Sequence, residues 1–385
     1  MITLNKKEIW RICIWAFMAR LLMLLCVVSF SPMLSSGLMG STYDQDDVRY
    51  VGGAEIYMET ADSMIDTSAI KIAFDNVEPW AGHDEGIELW YWIVCVIMYL
   101  FRSDLVLRLL NILFAIGCVK CIYDICFYYY SERVAKVASI LYALMPYPVI
   151  FSCFLYKDQF YTLVTLLLIR KAIKCAKHIK LKDIIYLSLG ITVSMLTRTG
   201  LVVLILALVL LIIYKEGKYR VNLLSLLMGL TILCLSLGYV VYISWDNIME
   251  KVYAYILEYV KEEDGIINYF VIKSPSQLYR YPFSLLFLLL LPLNYTFEIS
   301  TWMSIAGVLN FIGIPVAIGN LCFLLKYSIK KGYFYWMIQL FYFLTIITSL
   351  GITRHQYYLQ AFSMIFFSVF YCRYKYNEIF NMVNR

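Results

Sequence analysis

Long apolar runs alternate with short polar segments along the whole chain, and this pattern predicts a bundle of membrane-spanning helices. A spanning helix needs about 20 predominantly apolar residues. Two of the apolar runs, 87–101 and 283–293, are short, and the first carries the triplet Trp90–Trp92, which favours the headgroup level; we predict that both lie in the interface. The ten remaining runs are predicted as spans, near residues 11–30, 105–127, 134–154, 159–173, 184–197, 200–214, 221–243, 301–325, 333–350 and 357–372.

The basic residues between the runs predict the orientation of the chain, because short cytoplasmic loops are enriched in Lys and Arg. With the N-terminus in the cytoplasm and both short runs in the interface, the six basic residues between positions 170 and 182 lie inside. Twenty Lys and Arg then lie on the cytoplasmic side and ten outside. Both termini are therefore predicted to be cytoplasmic, with the acidic segments 31–104 and 244–282 on the extracytoplasmic face.

The composition agrees with a multi-pass protein of the cell membrane. Hydrophobic residues make up 62% of the 385 residues and charged residues 16%, whereas soluble domains are nearer 45–50% apolar and about 25% charged. These values exclude a soluble enzyme, a disordered chain and a nucleic-acid-binding protein. The net charge of +6 is spread over short runs between apolar segments, and the first run is predicted to be an uncleaved anchor.

Three segments follow from this order. Residues 1–243 are predicted to hold spans one to seven and a first external loop, 31–104, that contains interfacial helices. Residues 244–300 form a second external loop with a short apolar run, and residues 301–385 hold the last three spans. No internal repeat or inverted pair of interrupted helices is visible, a feature that would favour a transporter.

A carboxylate cluster opens the first external loop, in the sequence Tyr-Asp-Gln-Asp-Asp-Val-Arg-Tyr at 43–50. Asp44, Asp46 and Asp47 crowd their negative charges, which suits a general base. The cluster also fits a solvated acidic cap at the start of a short amphipathic helix. An Asp-x-Asp pair alone is weak evidence for a divalent cation, so a metal is possible but not indicated, and no cofactor is expected.

Four other external positions carry side chains that are candidates for the chemistry. Each of them also fits a simpler interpretation, as a polar turn or an interfacial anchor. Glu85 lies in an acidic turn ahead of the aromatic run. Lys157 and Asp158 occupy a tight turn between two spans, where charges more often face a wet cavity than lipid. Arg198 is the one charge of another tight turn and has the fork geometry that matches phosphate. Arg354 and His355 precede the last span and suit an anion.

Charges inside the spans also need partners. Lys120 and Asp124 have the i, i+4 spacing of a helical ion pair. Arg20 lies in the middle of the first span and requires a partner within the bundle, a phosphate or a carboxylate. No zinc-protease, serine-hydrolase or ATP-binding motif is present.

Read in order, these features resemble the GT-C fold of membrane glycosyltransferases, and most closely glycosyltransferase family 39, the protein O-mannosyltransferases, together with the lipid A aminoarabinose transferases. The resemblance covers residues 10–215 well and the remainder loosely. It rests on these elements: Asp46-Asp47-Val48-Arg49-Tyr50 after the first span, Glu85 before the aromatic run, Arg108-Leu109-Leu110-Asn111, the turn Tyr130–Ala135, Ala143-Leu144-Met145-Pro146 with Lys157-Asp158, Arg198 after the fifth span, and Leu291-Pro292-Leu293.

The resemblance implies an inverting transfer of a sugar from a polyprenyl-phosphate donor to a hydroxyl of a glycan, lipid or protein acceptor on the extracytoplasmic face. It makes Asp46 the general base, assisted by Asp47 or Glu85. The donor phosphate would be bound by Arg198 first, then by Arg49, Lys157 and Arg354, while Asp158, Tyr50 and His355 would line or orient the pocket. Two alternatives stay open: a polysaccharide polymerase or O-antigen ligase, which also has external Arg residues, and a lipid or saccharide transporter.

Overall fold

The structure, a computed structural model, describes residues 6–30, 45–77, 89–176, 179–197, 309–327 and 359–376, with isolated positions between 205 and 213 and at 302 and 305. Most of these residues are helical, and none of them belongs to a strand. The α-helices are α1 (Lys6–Phe30), α2 (Gln45–Thr60), α3 (Thr67–Val77), α4 (Leu89–Phe101), α5 (Asp104–Tyr129), α6 (Glu132–Leu144), α7 (Pro146–Phe151), α8 (Lys157–Cys175), α9 (Leu181–Thr197), α10 (Ile314–Tyr327) and α11 (Leu359–Tyr376).

The all-α prediction is confirmed for the described residues. Two of their helices, Lys7–Phe30 and Asp104–Tyr129, are long and apolar enough to cross a membrane. The predicted runs 221–243, 283–293 and 333–350 lie outside the described residues, so the total of ten spans stays a prediction.

Helix α1 packs against the bundle on one side and is exposed on the other. Its buried side chains include Ile12, Ala16 and Leu24. Large apolar side chains such as Trp15 and Leu22, 64% and 59% exposed, cover the opposite side. A helix that is apolar all round and half buried fits a position at the edge of a bundle facing lipid.

A bundle of helices forms the main core. Helix α5 packs against α1, α6 and α8, and α11 packs against α6 and α10. The contact between α5 and α8 is close at Gly117, where a Cβ atom would lie 2.8 Å from the Cδ1 atom of Leu163. Small residues at such positions let helix backbones approach each other in membrane proteins.

The third predicted span, 134–154, is not one continuous helix. It divides at Pro146 into α6 and α7, because proline lacks an amide hydrogen and forces the residue before it out of the helical region. Met145 accordingly has φ −60° and ψ 131°. The carbonyl of Tyr142 thus loses its helical donor, which would have been the amide of residue 146.

Arg20 supplies the missing donors. Its guanidinium is fully buried and donates from Nη2 to the carbonyl oxygen of Tyr142 at 3.0 Å and from Nη1 to that of Ala143 at 2.7 Å. It also lies over the Tyr142 ring, 6.0 Å from the ring centroid. These contacts place the positive charge at the open end of α6, where carbonyl dipoles favour a cation.

The first external loop folds into helices, as predicted for this segment. Helices α2, α3 and α4 bury a second core that includes Tyr50, Tyr57, Ile70 and Trp90. Helix α4 has 13 residues and is about 20 Å long. This is shorter than the ~30 Å hydrocarbon core of a bilayer, which agrees with a helix that does not cross by itself.

The turn between α2 and α3 is held by local hydrogen bonds. The Tyr57 hydroxyl donates to the carbonyl of Met64 at 2.9 Å and accepts from the amide of Asp66. The Asp66 carboxylate accepts from the Ser68 hydroxyl and from the Ala69 amide. These hydrogen bonds lower the pKa of Asp66, Ser68 contributing most, whereas burial raises the pKa of Tyr57. Ionised Asp66 therefore stabilises the start of α3 at pH values above its usual pKa. This contribution to stability is lost as the pH falls through the lowered pKa of the folded state.

Replacing Arg20 by Met is expected to lower the free energy of unfolding by about 2–5 kcal/mol, because two buried carbonyls lose their donors at ~1–3 kcal/mol each. Thermal unfolding of the detergent-purified chain measures the loss. Arg11→Met is the matched control, since Arg11 is exposed on the same helix and its loss should have little effect.

A second substitution tests the cause. Pro146→Ala restores an amide hydrogen opposite the Tyr142 carbonyl, so it should be less harmful, or even stabilising, when Arg20 is already Met. Equal effects of Pro146→Ala in both backgrounds, or an Arg20→Met variant as stable as the control, would contradict the capping role.

Candidate active site

Asp47 and Arg108 form a buried ion pair between the first external loop and the second predicted span. The Arg108 Nη2 atom lies 2.6 Å from Asp47 Oδ2, and Nη1 lies 3.2 Å from Oδ1. The two side chains are 4% and 2% exposed. Asp104, one turn before Arg108, adds a contact to Nε at 3.0 Å with a side chain that is half exposed. This two-point geometry fixes both side chains, because a carboxylate and a guanidinium form parallel hydrogen bonds.

The same pair binds the non-helical backbone between α7 and α8. Arg108 Nη1 donates to the carbonyl of Cys153 at 3.0 Å, and the Leu155 amide donates to Asp47 Oδ1 at 2.6 Å. Asn111 donates to the carbonyl of Phe154, and Trp90 Nε1 donates to that of Leu155 at 3.1 Å. Non-helical backbone at membrane depth needs such partners, since lipid offers none.

This backbone leads directly into the charged turn predicted from the sequence. Lys157 and Asp158 begin α8, where the amide dipoles favour a negative charge. Asp158 is 1% exposed, and Lys157 is half buried. Two motifs separated by about 110 positions, at 46–50 and 157–158, therefore belong to one connected unit.

Arg49 and Tyr50 lie on α2 beside α4. The Arg49 guanidinium donates from Nη2 to the Tyr91 hydroxyl. It also lies over two rings, 5.8 Å from the Tyr50 centroid and 5.6 Å from that of Tyr91. Tyr50 itself is buried and packs edge-on against Trp90. A cation held between aromatic faces is pre-oriented, which reduces the entropy lost when it binds an anion.

The remaining predicted site residues are only partly described. The backbone of Asp46 lies in the first turn of α2, and its side chain is outside the described set. Glu85, Arg198, Arg354 and His355 lie outside the described residues, as does Asp44. Thr197, which precedes Arg198, is the buried last residue of α9, and α9 packs against α8 and α4.

Several contacts of this unit come from residues that the sequence argument did not place in the site. Arg108 and Asn111 were assigned only to the start of a span, and Trp90 and Tyr91 to an interfacial run. A signal did exist for Arg108 and Asn111, because a charged and an amide side chain at i, i+3 within an apolar segment demand buried partners. Nothing in the sequence indicated that those partners are the backbone of 153–155.

The predicted pair within the second span is confirmed. Lys120 Nζ lies 3.0 Å from Asp124 Oδ2, and Arg170 Nε of α8 lies 2.7 Å from the same oxygen. In the part of the chain that the structure describes, no group of three or more His, Cys, Asp or Glu is arranged to hold a metal ion.

The comparisons with known proteins agree with this class of fold and site. Residues 89–245 match the family model described as dolichyl-phosphate-mannose-protein mannosyltransferase. No curated protein and no solved structure matches the chain.

The matched stretch is shorter than half of the chain, begins at α4 and includes Arg108, Asn111, Lys157, Asp158 and Arg198. The match confirms the resemblance that the motifs indicate and supports a membrane glycosyltransferase of the GT-C type. The Asp46–Tyr50 motif lies upstream of the match, and the Asp47–Arg108 pair is one of the contacts that join it to the matched region.

Replacing Asp47 by Ala is expected to lower the free energy of unfolding by about 3–5 kcal/mol, because a buried arginine then loses its principal partner. Asp104→Ala also removes a carboxylate from Arg108, but the exposed Asp104 should account for less than about 1 kcal/mol. Thermal unfolding of both variants, with amide hydrogen exchange in α2, measures the difference.

The double variant Asp47→Ala with Arg108→Ala should be less unstable than the sum of its two single variants. Additive losses, or equal losses for Asp47→Ala and Asp104→Ala, would show that the buried pair does not hold α2 in place.

Proposed function

We propose that the protein is an integral membrane glycosyltransferase that moves a sugar from a polyprenyl-phosphate donor to an acceptor hydroxyl on the extracytoplasmic face. The observation that carries the proposal is the family match, which includes Arg108, the buried partner of Asp47 in the Asp46–Tyr50 motif. The donor class is the one that the family description names, and the face is the one that the basic residues predict.

In the proposed reaction Asp46 is the general base. It takes the proton of the acceptor hydroxyl while that oxygen attacks the anomeric carbon from the side opposite the phosphate. The bond from the anomeric carbon to the phosphate oxygen breaks, and its electron pair leaves with the polyprenyl phosphate. The products are an inverted glycoside and the lipid phosphate, and no cofactor takes part.

The geometry around Asp47 supports Asp46 as the base. Both oxygens of Asp47 accept hydrogen bonds from Arg108 and Leu155, so Asp47 is poorly placed to receive a proton from an acceptor. The backbone of Asp46 lies in the same first turn of α2, so the ion pair of Asp47 also fixes the backbone that carries the proposed base. We therefore assign Asp47 to positioning α2, with Glu85 as the assisting carboxylate.

Charge develops on the departing phosphate, and fixed cations lower the energy of that state. Arg198 is our first choice for this role, because its fork geometry matches phosphate oxygens and the helix before it packs against α4 and α8. Arg49, held by Tyr50 and Tyr91, and Lys157 at the start of α8 are the next candidates, followed by Arg354. Asp158, Tyr50 and His355 complete the pocket.

Asp46→Asn is expected to reduce kcat by about 10²–10⁴-fold, the usual contribution of a general base, while the folded protein still binds the donor. Transfer of radiolabel from a polyprenyl-phosphate sugar to acceptor measures the change. Glu55→Gln, an exposed carboxylate on the same helix, is the control and should retain activity. Full activity of Asp46→Asn would remove Asp46 from the mechanism, and absence of any covalent product from the wild type would favour the transporter.

Arg198→Ala is expected to raise the KM for the lipid donor and lower kcat, with little change in thermal stability, because the leaving phosphate loses a bidentate partner. Arg198→Lys should restore activity only in part, since a lysine lacks the fork. Lys71→Ala removes another exposed external cation and should behave as wild type. Unchanged donor kinetics in Arg198→Ala would refute the phosphate role.

A further inference from the structure

A second cluster of charges lies along α5, away from the candidate active site. Asp124 is nearly buried, with a side chain 7% exposed, and pairs with Lys120 and Arg170. Lys174, one turn after Arg170 on α8, lies within electrostatic range of Arg170, Asp124 and Lys120. Three cations thus surround one carboxylate and leave an excess of two positive charges.

The distance of the cluster from the N-terminal end of α5 matches the thickness of a membrane. Lys120 follows Arg108 by twelve residues, about 18 Å along the helix. Asp124 follows Asp104 by twenty residues, about 30 Å, which equals the hydrocarbon thickness of a typical bilayer. If the N-terminal end of α5 begins at one surface, Asp124 therefore lies at the other, in the leaflet opposite the Asp47–Arg108 pair.

The surface around Lys120 is apolar and exposed, as expected for a surface that contacts lipid. Lys120 is 46% exposed and continues an outward apolar stripe on α5, after Leu105 and Leu113 and before Tyr128, which are 46%, 55% and 44% exposed. An ammonium on such a stripe extends toward the headgroups to avoid hydrocarbon. Lys174 is also exposed and has no ion pair with the described residues.

Two neighbouring basic residues differ from this cluster because acidic side chains compensate their charges. Lys171 pairs with Asp183 at 2.5 Å, and Lys136 pairs with Glu8 and Glu132 at 3.5 and 3.2 Å. The contacts of Lys136 join the N-terminal ends of α1 and α6, and that of Lys171 joins the C-terminal end of α8 with the N-terminal end of α9. Lys120, Arg170 and Lys174, by contrast, share the single carboxylate of Asp124.

We propose that Lys120, Arg170 and Lys174 bind the phosphate headgroup of an anionic phospholipid in the leaflet opposite the active site, with Asp124 orienting Lys120 and Arg170. The partner follows from charge and depth: an excess of cations at the headgroup level, on a lipid-facing stripe, is complementary to a phosphodiester whose acyl chains pack on the apolar residues above it.

The test uses the full chain in a neutral detergent, titrated with phosphatidylglycerol, phosphatidylcholine or inorganic phosphate while the thermal unfolding midpoint is followed. Phosphatidylglycerol should raise the midpoint of the wild type, because a ligand that binds only the folded state stabilises it. Lys120→Gln and Lys174→Gln should each weaken the apparent affinity about fivefold, the equivalent of ~1 kcal/mol per basic residue at an anionic surface.

Lys7→Gln is the matched control, because Lys7 is an exposed basic residue at the start of α1. Arg170 is left intact, since its loss also exposes Asp124. The lipid-dependent shift is compared within each variant, so a change in basal stability does not obscure it. Equal shifts with phosphatidylcholine or inorganic phosphate, or a response to phosphatidylglycerol that the Lys120 and Lys174 variants share with Lys7→Gln, would overturn the proposal.

Discussion

The buried pair of Asp47 and Arg108 is the constraint on which the rest of the site depends. An apolar bundle can tolerate the non-helical segment 153–155 only if side chains replace the hydrogen bonds of a helix. Arg108 and Asp47 supply two of these bonds and also neutralise each other. Because Asp47 belongs to α2 and Arg108 to the long apolar helix α5, the same pair attaches α2 to α5 and supplies hydrogen bonds to the segment before α8.

Arg20 repeats this principle on the other side of the broken helix. Pro146 ends α6 and leaves carbonyls open, and a guanidinium from α1 occupies them. Both arginines therefore stabilise irregular backbone around α7 from opposite sides.

The sequence predicted the helical class, the apolar runs, the folded first loop and the Lys120–Asp124 pair, because each of these depends on local periodicity or on i, i+4 spacing. It also predicted that Arg20 needs partners within the bundle, but not that the carbonyls at the end of α6 are among them. That contact depends on how α1 crosses α6, which no local pattern encodes. The same applies to Asp47 and Arg108, whose pairing joins positions 61 residues apart. Helix periodicity explains why Arg108 and Asn111 share a face, but only the tertiary fold shows that this face meets 153–155.

Two adjacent carboxylates, Asp46 and Asp47, lie in the first turn of α2, and the proposed mechanism gives them different tasks. A carboxylate that accepts hydrogen bonds from a guanidinium and an amide serves to hold a helix, because taking up a proton would break the contacts that hold it. The backbone of Asp46, one position earlier, belongs to the same first turn of α2. The contacts of Asp47 with Arg108 and Leu155 therefore also fix the backbone that carries the proposed base.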